Sequence, residues 1–280
     1  MRFEDCQFQG HDEDKNNWGG IGSRGDASFF KCNIKCFSIA GYKKISLADC
    51  ETENTEVWTD SKAASGENFD RAEIIIQSSN LRSKFDMAGC KLQSVVIQDT
   101  NIDFLDMRDA EIAGNVLVER VRGGYLNASA KSMGKLTMSQ CQIFGKRRNF
   151  SFEIGMDSAD EVLLDQCNFG SDLNLAVGLG AGRPLSPEEW SKAPNNRYSL
   201  IRNCVLPTVD ASWLESRHLR LESNTIESLD ISNSRIEKLE VVNNRVSLGV
   251  NLENTQVKES TIQPLAKGQA KLDGSNIRLN

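Results

Sequence analysis

FDMAGCKLQSVVIQDTNIDFLDMRDAEIA, from Phe85 to Ala113, carries apolar residues on a beat of five: Met87, Leu92, Ile97, Ile102, Met107 and Ile112. The residues two before them, Phe85, Cys90, Val95, Thr100, Leu105 and Ala110, alternate between large and small. The pattern returns in LRLESNTIESLDISNSRIEKLEVVNNRVS, from Leu219 to Ser247. There Leu221, Ile226, Ile231, Ile236, Val241 and Val246 keep the beat, and Leu219, Asn224, Leu229, Ser234, Leu239 and Asn244 alternate. A fixed internal period is the mark of a chain wound into a solenoid.

A beat of five fits neither helix periodicity nor simple strand alternation. It does fit one short strand plus a corner, because residues two apart on a strand point the same way. Both members of each pair are expected to point inward, and the polar residues between them outward. A size alternation of ten makes every second face alike, so like stacks over like only if each coil has an even number of faces. Two faces enclose no core. Four faces, about 20 residues per coil, predict an all-β, right-handed parallel β-helix with a quadrilateral section. Its coils would stack by parallel pairing at roughly 4.8 Å.

The blocks Phe85–Ala113 and Leu219–Ser247 resemble a divergent member of the pentapeptide-repeat proteins. The resemblance implies a right-handed quadrilateral β-helix over about two-thirds of the chain. Half of the i−2 positions here are large, where that family keeps them small. A fold of this kind says little about activity.

The chain has 280 residues and a net charge of −6. A solenoid uses length in coils and needs no second core, so residues 1–280 read as a single β-helix domain with insertions near 10–26, 59–71 and 178–196. No apolar run has the length of a membrane span and no secretory leader opens the chain, so no membrane partner is expected. Phe3, Cys6 and Phe8 already keep the beat, as do Leu272, Ile277 and Leu279. Both coil ends thus read as uncapped, which is the pattern of a module of a larger protein or of a homodimer joined through a coil end.

Of the eight cysteines, Cys6, Cys32, Cys50, Cys90, Cys141, Cys167 and Cys204 fall in the small inward slot, while Cys36 is off the beat. Cys90, Cys141, Cys167 and Cys204, with Asn224 and Asn244, are expected to be core residues. A buried free cysteine packs as a small hydrophobe, and no paired CxxC spacing points to zinc. No metal and no cofactor are expected. Inward thiols favour a reducing compartment, hence a cytoplasmic protein or a bacterial effector delivered into a host cytosol.

Recognition is expected in the insertions. The first carries His11, Asp12 and Trp18, and the third carries Arg183, Glu188 and Trp190. Ser186-Pro187-Glu188-Glu189 reads as the start of a short helix. These six residues form the candidate partner-binding set, for a protein partner. No catalytic residues are assigned. Two histidines, His11 and His218, have no nucleophile near them in sequence, and the acidic stretch Asp99, Asp103, Asp106, Asp109 and Glu111 falls at positions facing different ways. A β-helical polysaccharide lyase or glycosidase using such carboxylates is one alternative. A DNA mimic acting on a topoisomerase is another, implied by the family resemblance. Mimicry needs a sustained acidic surface, yet the excess sits in residues 1–70, with 13 acidic against 8 basic residues, and is absent from 211–280, with 9 of each. At this net charge nucleic-acid binding is not expected. The reading is a non-catalytic β-helical scaffold or protein-interaction module.

Alkylation of the denatured, unreduced protein is expected to modify all eight cysteines, with no stoichiometric zinc by metal analysis. Two unmodified cysteines in the mass spectrum would mark a disulfide and remove that pair from the inward-slot assignment.

Overall fold

The computed structural model describes residues 1–10, 19–22, 25–40, 43–59, 71–145, 150–155, 159–175, 196–263 and 270–277. The fold is all-β, without a helix among the described residues, and its strands join in long parallel sheets. The chain divides into two compact units, Met1–Gly134 and Lys135–Asn280, and the division falls inside the strand Met133–Ser139.

In the first unit one sheet runs through Arg2–Glu4, Ala27–Phe30, Lys44–Ala48, Ala72–Gln77, Lys91–Gln98 and Asn115–Glu119. The other runs through Gln7–Gln9, Asn33–Ala40, Glu51–Trp58, Asn80–Asp86, Asn101–Asp106 and Arg122–Asn127. The second unit repeats the arrangement, with Tyr198–Arg202, Glu215–Glu222, Arg235–Val242 and Gln256–Ile262 in one sheet and Val205–Asp210, Thr225–Asp230 and Arg245–Asn251 in the other. Along these strands the chain alternates between the two sheets, and each pairs with the strand one circuit later.

Burial follows the beat of five. Cys90 and Leu92, Val95 and Ile97, Thr100 and Ile102, Leu105 and Met107, and Ala110 and Ile112 are all buried. So are Leu214 and Ser216, Leu219 and Leu221, Asn224 and Ile226, and Leu229 and Ile231. Each large aliphatic member contributes about 1.5–3 kcal/mol of transfer free energy. In Arg235–Val242 two neighbours, Glu237 and Lys238, both point away from the core, so the strand turns a corner between its inward residues Ile236 and Leu239. Register steps are not uniform. Glu215 pairs with Arg235 at a step of 20, Asn80 with Asn101 at 21, and Asn33 with Glu51 at 18. The long steps, Glu51 to Asn80 and Leu163 to Leu200, contain the interruptions at 59–71 and 178–196.

One turn recurs where the chain passes from the first sheet to the second. Lys31, Asp49, Ser78 and Asp99 in the first unit, and Gln140, Gln166, Asn203, Ser223 and Asn243 in the second, have φ between 49° and 56°. A left-handed residue turns the chain sharply within one residue, and short polar side chains tolerate it best. The residue after each is the inward small one: Cys32, Cys50, Ser79, Thr100, Cys141, Cys167, Cys204, Asn224 or Asn244. Its amide needs an acceptor, and at several of these corners the next rung's side chain supplies it. Cys50 N–H donates to Ser79 Oγ (3.1 Å), Cys167 N–H to Cys204 Sγ (3.4 Å), Cys204 N–H to Asn224 Oδ1 (2.9 Å) and Asn224 N–H to Asn244 Oδ1 (3.0 Å). Asn224 Nδ2 also donates to Asn244 Oδ1 (2.9 Å) and to Ile201 O (2.8 Å). The slot therefore selects for hydrogen bonding as well as for size, which amends the description of its cysteines as merely small hydrophobes. The bond from Cys141 favours the Cys167 thiolate, but the bond to Cys204 and burial prevail, pushing the thiol up to about 12. All eight cysteines are free, six of them buried; Cys6 and Cys36 are half-buried.

The interruption at 10–26 differs in part from the irregular stretch expected. Gly19–Gly22 is a strand, in register with Phe37 to Ala40. Glycine permits it: a Cβ on Gly19 would lie 3.1 Å from the Phe37 ring. Asn196, at the close of the third interruption, is fully buried and donates to Ala159 O (3.1 Å) while accepting from Ser199 Oγ (3.0 Å).

Asn224→Ala leaves the Cys204 amide without its acceptor and removes a donor from the Ile201 carbonyl, and is expected to cost about 1–3 kcal/mol in urea unfolding. Asn224→Ala combined with Asn244→Ala should cost less than the sum of the singles, because the two share a hydrogen bond. Strict additivity would show that the amides do not act as a ladder.

Candidate interaction surface

Outward residues at one position on successive rungs lie about 4.8 Å apart. Opposite charges about one circuit apart in sequence therefore meet. In the first unit Arg82 bonds Glu51 (2.7 Å), Arg120 bonds Asp99 (2.6 Å) and Lys131 bonds Glu111 (2.8 Å). In the second, Arg202 bonds Asp165 (2.8 Å), Arg235 bonds Glu215 (3.2 Å) and Lys258 bonds Glu237 (2.6 Å). Gln77 donates to Gln98 (3.0 Å), which donates to Glu119 (2.7 Å). Each exposed pair contributes about 0–1 kcal/mol. Their larger effect is to tie neighbouring rungs together along the outer face.

Two clusters are more than pairs. In the first unit the Asp106 side chain has no exposed surface. Arg108 grips it with Nε (2.9 Å) and Nη2 (2.7 Å), the Arg108 amide donates to Oδ1 (3.2 Å), and Lys84 Nζ lies 3.2 Å from Oδ2. Lys84 also bonds Asp86 and sits 5.6 Å from the Phe104 ring centre. Phe104 packs on Tyr125 at 5.2 Å, and Asn127 donates to the Tyr125 hydroxyl (3.1 Å). Burial opposes charge on Asp106, but the bonds from Arg108 and Lys84 outweigh it and hold the carboxyl below its usual range. In the second unit His218 Nε2 lies 2.5 Å from Glu240 Oε2, with Lys238 Nζ at 3.4 Å and Arg220 Nη1 at 3.6 Å from the same carboxylate. Tyr198 meets the His218 ring edge-on at 4.9 Å. Burial works against charge on Glu240, and the bonds from His218 and Lys238 lower its pKa in spite of it.

Asp86, Asp106 and Asn127 in the first unit, and Asp210, Asp230 and Asn251 in the second, each accept the backbone N–H two residues on. These Asx turns shape the corner after the second sheet.

The acidic stretch of the first unit is dispersed by this geometry. Asp99 is bound to Arg120, Asp103 Oδ2 accepts Ser83 N–H (2.9 Å), Asp106 is buried with Arg108 and Lys84, and Glu111 is bound to Lys131. His218 is outward and occupied by Glu240. His11, Asp12, Trp18, Arg183, Glu188 and Trp190, the partner-binding candidates, lie outside the described residues. Sequence reasoning missed both clusters. The Asp106–Arg108 spacing of two was a visible signal, since an Asp accepts the amide two residues on in an Asx turn, but Lys84 and Glu240 join their clusters only through register. Among the described residues no helix is long and apolar enough to cross a membrane, and no group of three or more His, Cys, Asp or Glu is arranged to hold a metal. No protein-family description, curated protein or solved structure matches the chain.

Because the Asp106 carboxyl is held low, its contribution to stability is present above the unfolded value of about 3.9 and is lost as pH falls through the lower folded value. Asp106→Asn is expected to cost about 1–3 kcal/mol near neutral pH. The gap between wild type and variant in urea midpoint should then narrow on acidification below about pH 4. A gap that stays constant down to pH 2 would mean that the carboxylate's charge is not what stabilises the cluster.

Proposed function

We propose that the chain is a right-handed quadrilateral β-helix of pentapeptide-repeat-like design that serves as a non-catalytic scaffold for a protein partner. The architecture draws support from the four buried pairs in one circuit, Leu214/Ser216 to Leu229/Ile231, and from the steps of 18 to 21 between paired rungs. The right hand follows from the strong preference of parallel crossover connections. The function draws support from one observation above others: rung side chains are committed to each other. Inward residues stack, several turn residues bond to the next rung, and a set of outward charges pairs across rungs. A surface used up in this way serves as a rigid support, and variable recognition falls to the irregular segments. The same pairing removes the sustained acidic field that a DNA mimic needs. The proposed contact residues are Trp190, Arg183 and Glu188 in one segment and Trp18, His11 and Asp12 in another.

Trp190→Ala is the decisive variant, because a tryptophan on an irregular insertion is a frequent hot spot. It is expected to leave the circular dichroism and Tm unchanged while weakening recovery of the partner from a native extract about thirtyfold, which corresponds to a hot-spot loss of roughly 2 kcal/mol. A large fall in Tm would assign Trp190 to wall packing instead. Cleavage of an acidic polysaccharide by the purified chain, abolished in Asp103→Asn, would replace the scaffold by a lyase or glycosidase.

A further inference from the structure

The strand Glu51–Trp58 ends beside a cavity of about 300 Å³ in the first unit, and its walls combine an indole with two carboxylates. Glu56 and Asp86 are partners in register on adjacent strands, so both carboxylates stand on the same outward face. Trp58 is 55% exposed, a large value for the biggest apolar side chain. Its indole N–H donates to Glu56 Oε2 (3.0 Å), which orients the ring at the cavity wall. Across from it Gly89 has φ +70° and no atom within 4 Å of where a Cβ would stand, so that side of the cavity is open.

The remaining polar groups of the lining are already engaged by the protein. Cys90 Sγ donates to Val57 O (2.9 Å), and Thr59 Oγ1 accepts from the Lys91 amide (2.7 Å). Asp86 accepts the Ala88 amide (2.9 Å) and the Lys84 ammonium. Lys84 offsets one carboxylate, and the other leaves the cavity with a negative character. A ligand that fits must therefore present a flat face to an indole, donate hydrogen bonds to carboxylate oxygens and carry positive charge. A guanidinium meets all three conditions: it is planar, weakly hydrated, stacks on aromatic rings and donates in a fork to carboxylates. A simple ammonium lacks the flat face, and a neutral sugar or amide leaves the charge unused.

We propose that the Trp58–Glu56–Asp86 cavity is a guanidinium-binding site. It takes either an arginine side chain of a partner protein or a small free guanidinium compound. The proposal does not rest on the scaffold reading, since the cavity belongs to the described rungs and not to the irregular segments.

The test is a titration of the full-length, nitrogen-15-labelled protein followed by NMR. The Trp58 indole signal is assigned with Trp58→Phe, and the Gly89 amide serves as a second reporter. Methylguanidinium in the low-millimolar range, about what one stacked and ion-paired cation supports, is expected to move both signals saturably. Methylurea, its neutral counterpart of similar shape, should leave them in place. Glu56→Gln should weaken methylguanidinium about two- to fivefold, and Trp58→Ala should abolish saturation at Gly89 with an unchanged circular dichroism spectrum. Equal shifts with methylurea, shifts that grow linearly without saturation, or an unaltered affinity in Glu56→Gln would each overturn the proposal. Two further ligands separate the sources. Tighter binding of acetyl-Gly-Arg-Gly-amide than of free arginine supports a protein side chain, and the reverse order supports a free compound.

Discussion

A chain that stacks parallel rungs must turn corners without losing register, and at every corner a backbone amide leaves the strand ladder. Buried without an acceptor, such a group costs about 1–3 kcal/mol, and the cost would recur at each circuit. The left-handed residue followed by a small polar one answers this constraint. The left-handed amide itself bonds the next rung's carbonyl, as Ser78 N–H does to Gln98 O (3.1 Å). The following amide bonds the next rung's side chain, as at Cys50 to Ser79 and Cys204 to Asn224. Each corner thus depends on the residue one circuit ahead.

This dependence explains why cysteine, serine, threonine and asparagine alternate in one slot. All are small enough to stand inside a corner, and all offer an acceptor atom. The thiols also donate backward: Cys204 Sγ to Arg202 O (3.1 Å) and Cys50 Sγ to Ala48 O (3.3 Å). Val121 follows the left-handed Arg120 in the same slot, so one corner of the first unit has no side-chain acceptor to offer the rung before it. The outer face obeys the same rule of neighbours. Stacking like over like would place like charges about 4.8 Å apart, and the chain avoids this with pairs such as Arg120 and Asp99 or Arg202 and Asp165. Asp86 and Asp106 stack with Lys84 between them, whereas among the described residues Glu56 over Asp86 and Asp210 over Asp230 stack without a shared lysine.

Commitment of side chains to the next rung has a functional side. A regular solenoid face carries little free chemistry, so on the proposed scaffold reading recognition falls to departures from the rung pattern. One departure within the described residues is the end of Glu51–Trp58, where an indole stays exposed beside two carboxylates just as the regular rungs give way to an interruption.

The sequence by itself determined the all-β class, the parallel stacking implied by a repeat and which residues face in. The beat of five is written in residue type, because burial on a strand of three residues depends only on positions two apart. Leu221 and Ile226, or Leu92 and Ile97, needed no partner to be recognised as core. What only the tertiary structure decided is who meets whom across rungs. Steps of 18, 20, 21 and more interleave, so Lys84 reaches Asp106 and His218 reaches Glu240 by register and not by any regular spacing in the chain. The strand Gly19–Gly22 was hidden for a related reason: three glycines around Ile21 carry no pattern, and only the neighbouring Phe37 to Ala40 gives them a ladder to join. Periodicity encodes the environment of a residue one circuit at a time, whereas a charge cluster or a cavity is a property of two or three circuits together.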